Sequence, residues 1–108
     1  MRRSVVVTYQ LRPEAYDQHV RLIESVFEQL HRERPTELEY TVLVLEDGVS
    51  FVHVSTSETS DGASPLPRFE AFRQFNEDIA SRVATPPRPS AATLVGAYRP
   101  HAEEASRT

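Results

Sequence analysis

The 108 residues leave room for one domain, and the absence of cysteine excludes disulfides, thiolate chemistry and Cys-ligated metal centres together. All 12 basic residues are arginine, which excludes a lysine Schiff base, a phosphate-loop lysine and a lysine general base. A formal charge of −4 and a pI near 5.5 argue against a nucleic-acid partner.

Met1-Arg2-Arg3-Ser4 runs straight into a valine-rich segment with no apolar leader, so it reads as the start of a cytosolic domain. A domain of this size without disulfides fits a reducing cytoplasm, and no apolar run approaches the roughly 20 residues needed to span a bilayer. Residues 4–11 are β-branched and aromatic and predict a strand. Arg12-Pro13 ends it and opens a helix, because proline's fixed φ suits the first helical position and its missing N–H costs nothing there. From there Tyr16, His19, Val20, Ile23, Val26, Phe27 and Leu30 recur every three or four residues, the stripe of an amphipathic helix. Arg32 and Arg34 sit at its negative end, and Pro35 stops it.

Residues 38–45 and 49–56 are two apolar, β-rich runs separated by Glu46-Asp47-Gly48, which predicts a hairpin. Residues 57–67 form a polar loop longer than most connections, a length that binding loops often share. Phe69, Phe72, Phe75, Ile79 and Val83 return to helical spacing and predict a second amphipathic helix over 67–82. Pro86, Pro87 and Pro89 then read as its stop and as a stiff link to a fourth strand at 92–99, where Gly96 suggests a bulge. Residues 1–100 are expected to form the domain, with 101–108 a flexible tail.

The order β-α-β-β-α-β predicts a ferredoxin-like α+β fold, with both helices on one face of a four-stranded antiparallel sheet. A sheet with a wet second face should alternate apolar and polar residues. Val5, Val6 and Val7 are consecutive, as are Val42, Leu43, Val44 and Leu45, and Phe51, Val52 and Val54 fall on both sides of their strand. Two helices cover one face only, so the other is expected to pack on a second copy of the chain, forming a homodimer through the open sheet face.

In element order, two-sided strands and an aromatic second helix, residues 4–99 resemble the antibiotic biosynthesis monooxygenase-like members of the dimeric α+β barrel superfamily. Phe51-Val52-His53-Val54, a loop, and Leu66-Pro67-Arg68-Phe69-Glu70-Ala71-Phe72 are similar to that family's third strand and second helix. The resemblance implies a homodimer whose protomers each hold a pocket between sheet and helices. Members include cofactor-independent monooxygenases of aromatic substrates, haem-degrading enzymes and isomerases.

His53 interrupts an apolar strand, and a titratable ring there must find hydrogen-bond partners or line a cavity. A two-residue Asp47-Gly48 loop sets it opposite Val42, with Tyr40 diagonal and Phe51 on the same face. A three-residue Glu46-Asp47-Gly48 loop sets it opposite Thr41, with Glu39 diagonal. Both turns suit Asp-Gly. His53 is the candidate acid or base, and Tyr40, Phe51, Phe72 and Tyr98 are the candidate ligand-binding residues. Tyr9, Tyr40 and Tyr98 lie in predicted strands, and each hydroxyl needs a buried partner or water. Phe69, Phe72 and Phe75 read first as core. His19 and His31 point about 120° apart around their helix at ~100° per residue, too far to share a metal. No metal motif is present, and no cofactor is expected, although a haem held by one histidine needs no spacing motif. Each arginine reads as a solvated surface residue. Two functions follow: an enzyme acting on a small aromatic or apolar substrate, and a non-catalytic dimer binding a small apolar ligand. The buried histidine and the family resemblance motivate the first; the missing tryptophan and the lack of paired catalytic groups motivate the second, the alternative.

Overall fold

In the computed structural model, which describes residues 1–98 and 100, strand β1 covers Arg2–Leu11. The tail expected at 101–108 lies outside the described residues. Pro13 begins a single 3₁₀ turn, Pro13–Ala15, that leads into helix α1, Tyr16–Glu33. The helix ends where Arg34 takes the left-handed conformation, φ 52°, and donates its N–H to the Leu30 carbonyl at 2.7 Å.

Strands β2 (Leu38–Val44) and β3 (Ser50–Glu58) form the predicted hairpin. Gly48, at φ 75°, donates its N–H to Leu45, and Leu45 donates to Ser50. The Asp47 carboxylate accepts the N–H groups of Val49 and Ser50. This turn sets Val42 opposite His53, the register of the shorter loop, and the alternative that pairs His53 with Thr41 does not occur.

After the loop, a 3₁₀ turn at Leu66–Arg68 precedes helix α2 (Glu70–Glu77) and a short helix α3 (Ile79–Arg82). The single helix expected over 67–82 is therefore broken. Asp78, at φ −130° and ψ 32°, leaves the helical region, and its carbonyl accepts both the N–H and the hydroxyl of Ser81.

The fourth strand corrects the sequence-based expectation. Strand β4 spans Val83–Ala92, so the three prolines lie inside it, and residues 93–98, with Gly96, adopt no regular structure. The sheet order β2-β3-β1-β4 makes β4 an edge, where an N–H on the outer side has no strand to bond and proline is tolerated. The β1–β4 register also slips on both sides of Gln10, which leaves Pro86 and Pro87 unmatched in the ladder. Hydrophobic periodicity could not signal a strand written in proline.

All pairings are antiparallel. Tyr9, Leu11, Ala15, Phe51 and Val83 form the core beneath the helices, joined by Val20 and Ile23 from α1 and Ile79 from α3. Alternation puts Val6, Val52, Val54 and Leu43 on the opposite face, where Val6 pairs with Val54 and Leu43 with Val52. Leu43 is 51 % exposed there. Among the described residues, no helix is long and apolar enough to cross a membrane.

Candidate functional site

Five polar side chains from five different elements meet between the sheet and the helices. The β2–β3–β1 register aligns Val42, His53 and Val7, so Tyr40 and Tyr9 flank His53 diagonally on the helix-facing side. The His53 Nδ1 lies 2.7 Å from the Tyr40 hydroxyl and its Nε2 lies 2.7 Å from the Tyr9 hydroxyl. From above, α1 contributes His19, whose Nε2 is 2.5 Å from the same Tyr9 oxygen. Arg82, at the end of α3, donates its Nε–H to His19 Nδ1 at 3.0 Å and a second N–H to the Phe75 carbonyl at 2.5 Å. His19, Arg82 and His53 are 0 %, 2 % and 6 % exposed. Buried polar groups at this depth cost several kcal/mol if unpaired, roughly 1–3 each, and among the described residues no buried side-chain nitrogen or oxygen lacks a partner.

Aromatic rings enclose this chain of hydrogen bonds. Phe51 stacks on Tyr9 at 5.5 Å with rings 3° from parallel, and it meets His19 at 5.0 Å with the two rings 77° apart. Phe75 lies 5.4 Å from the Arg82 guanidinium, a cation–π contact, and 5.6 Å from the His53 ring. Burial pushes His53 down to about 4. His19 also falls to about 4, by burial first and then by the positive charge of Arg82. Both phenols are pushed upward, chiefly by burial. Desolvation lowers Arg82 as well. At neutral pH the site therefore holds neutral imidazoles, neutral phenols and one buried cation.

A cavity of about 230 Å³ adjoins the Tyr40–His53 end of the chain. Its walls are apolar: Val5 and Val7 from β1, Leu66 from the loop region, Phe72 and Phe75 from α2, and Ile79 from α3. Exposed Ser64, Pro67 and Asn76 form its rim, so the long loop after β3 does contribute to it. An apolar cavity of about 150 Å³ accommodates benzene; this one has room for a substituted single ring.

The structure brings together three of the residues singled out from the sequence. His53 and Tyr40 are hydrogen-bonded, and Phe72 meets Tyr40 edge-on at 6.5 Å beside the cavity. Phe51 lies behind Tyr9 in the core and borders the network, not the cavity. Tyr98 does not belong: it is 85 % exposed in the segment after β4, because the strand expected to carry it inward ends at Ala92. Arg82 is a second correction, since it is buried and not a solvated surface arginine. Its signal was its spacing, seven residues after Phe75 and three after Ile79, on the apolar stripe. His19 likewise interrupted the stripe of α1, and Tyr9 faced the core by strand alternation.

Neither buried histidine has a ring nitrogen left for an iron, since both nitrogens of each are hydrogen-bonded. Among the described residues, no three His, Cys, Asp or Glu side chains converge on a possible ion position.

No family model matches the chain, and no curated protein does. Solved structures do. The Rv0793 protein of Mycobacterium tuberculosis superposes with a TM-score of 0.73 at 11% identity, covering 92% of this chain and 100% of its own. A crystal structure of an antibiotic biosynthesis monooxygenase gives 0.71 at 20% identity, covering 89% and 100%. A provisionally named antibiotic biosynthesis monooxygenase of Nitrosomonas europaea gives 0.72 at 16%, covering 87% and 90%. The fold is that of the antibiotic biosynthesis monooxygenase-like proteins. The expected likeness is thus one of backbone, and at these identities the monooxygenase-like fold brings no side-chain role with it.

Proposed function

We propose that the chain is a monooxygenase-like enzyme acting on a small aromatic substrate held in the Tyr40–His53 cavity, working as a homodimer and without a bound organic cofactor. The observation that carries the reading is a buried imidazole hydrogen-bonded to a partly buried phenol at the polar end of an apolar cavity sized for one ring. Its support from outside the chain is the fold shared with proteins named antibiotic biosynthesis monooxygenases. Without a cofactor, an oxygenase must draw both reducing equivalents from the substrate itself, so the substrate must be an electron-rich, readily ionised ring. His53 acts through its hydrogen bond to Tyr40, both of them lining the cavity, while Phe72 and Phe75 supply flat apolar contact. Phe51 holds Tyr9 in place behind them. Oxygen uptake with a panel of single-ring phenols and hydroquinones tests the reading. Turnover is expected for the native chain and a fall of roughly 100-fold for His53→Gln, in the range of lost acid–base assistance. Equal uptake by both proteins removes His53 from the mechanism.

One observation favours a second reading, a dimer that binds such a ligand without transforming it. Both His53 nitrogens are engaged and its basicity is low, which suits a fixed recognition group better than a proton shuttle. Thermal stabilisation by a ligand that is recovered unchanged, with no oxygen consumed, distinguishes it.

A further inference from the structure

One arrangement of protons satisfies every deeply buried member of the hydrogen-bonded chain. A guanidinium can donate but not accept, so the Arg82 Nε–H fixes His19 Nδ1 as an acceptor. The neutral His19 ring then carries its proton on Nε2 and donates it to the Tyr9 oxygen. Tyr9 has one hydroxyl hydrogen, which goes to His53 Nε2. His53 is left with its proton on Nδ1, donated to the Tyr40 oxygen. The reverse arrangement, with Tyr40 donating to His53 Nδ1 and His53 donating to Tyr9, makes the Tyr9 oxygen accept twice and leaves its own hydrogen unspent in the chain. Tyr9 is the more deeply buried of the two phenols, so that arrangement strands a donor where it costs more. The last hydrogen in the chain, on the Tyr40 hydroxyl, has no acceptor within it, and Tyr40 borders the cavity.

We propose that this chain, polarised by the buried charge of Arg82, presents the Tyr40 hydroxyl to the cavity as a hydrogen-bond donor, and that the ligand is a single-ring aromatic whose oxygen accepts it, bound in preference as the anion. The assignment deepens the proposed substrate class and rests on the same cavity being the ligand site. Arg82 and His19 do not border the cavity, while Tyr9 and His53 border it with their hydrogens committed within the chain. Arg82, His19, Tyr9 and His53 are positioning residues whose donor bonds all run towards Tyr40, each strengthening the next. An oxygen anion at the cavity end completes the series, and the apolar walls leave it little competing solvation.

The ligand test compares 4-nitrophenol, whose anion absorbs at longer wavelength than its acid, with 4-nitroanisole, which has the same ring but no ionisable oxygen. Bound nitrophenol is expected to ionise about one pH unit lower than in free solution, a tenfold preference for the anion. In Tyr40→Phe that displacement disappears. If both probes bind with equal affinity and no displacement, the cavity reading survives and the donor chain is overturned. Binding of neither probe removes the cavity as a ligand site and this inference with it. Nitrogen-15 NMR of the histidine rings of the full chain gives a second, ligand-free measurement. His19 protonated at Nε2 and His53 protonated at Nδ1 are expected. His19 protonated at Nδ1, His53 protonated at Nε2, or a doubly protonated ring near neutral pH, overturns the arrangement.

Discussion

His53 illustrates what a single residue can and cannot disclose. A titratable ring in an apolar strand announces that partners must exist, because leaving it unpaired would cost on the order of the stability of a helix cap or more. It does not announce which partners. Tyr40 was reachable from the hairpin register, but Tyr9, His19 and Arg82 come from β1, α1 and α3, and only tertiary packing joins them. Their burial has a consequence for stability. Both imidazoles lie near 4 in the fold, against about 6.5 when the chain unfolds. Between those values the unfolded state binds more protons, so stability rises with pH across that window. The contribution is complete above about pH 6.5, declines as pH falls towards 4, and levels off below. Thermal melts from pH 7 to pH 4.5 are expected to drop by roughly 10 °C or more, at about 4–8 °C per kcal/mol for a domain of this size. In His53→Gln the slope is expected to be shallower. A flat profile across this range would show that neither ring is held neutral by the fold.

At the scale of elements, legibility followed the strength of local physics. Helix α1 was plain because its apolar stripe, its proline start and its arginine-rich end all agree. The hairpin was plain because Asp47-Gly48 combines a side-chain acceptor with a residue free to take positive φ. Strand β4 was not, since Val83-Ala-Thr-Pro-Pro-Arg-Pro-Ser-Ala-Ala92 reads as a linker unless one knows that it lies at an edge. The break at Asp78 was hidden too, because Phe75, Ile79 and Val83 keep helical spacing across it. The hairpin turn carries a direct test. A β-carbon on Gly48 would meet no atom within 4 Å, so Gly48→Ala isolates the backbone cost of φ 75°. Chemical denaturation is expected to show a loss of about 1 kcal/mol, with the midpoint lowered and the denaturant slope unchanged. A neutral or stabilising effect would mean that the turn is not held in that conformation. A changed slope would mean that it sets more than its own geometry, as expected if the register of Tyr40 and His53 slipped.

For the whole molecule, the open question is what covers the sheet face opposite the helices. Val6, Val52 and Val54 lie there with Leu43, which is half exposed in the single chain, among the hydroxyls of Thr8, Thr41 and Thr56. The surface is apolar enough to gain from burial, yet its threonines let it remain solvated while the chain folds. A second copy meeting the same face about a two-fold axis would place each residue in the interface twice. Full burial of a leucine side chain is worth about 1.5–3 kcal/mol, and replacing it by a carboxylate adds desolvation to that loss. Leu43→Glu should therefore raise the dimer dissociation constant by 100-fold or more, at about 1.4 kcal/mol per decade. The helix-side network should survive, because alternation points position 43 away from His53. Sedimentation of both proteins over a concentration series is expected to give a dimer for the native chain and a folded monomer for the variant, with matching far-ultraviolet circular dichroism. A native chain that sediments as a monomer throughout would mean that water covers this face, and the dimer would have to be abandoned while the Tyr40–His53 cavity, built within one protomer, would stand.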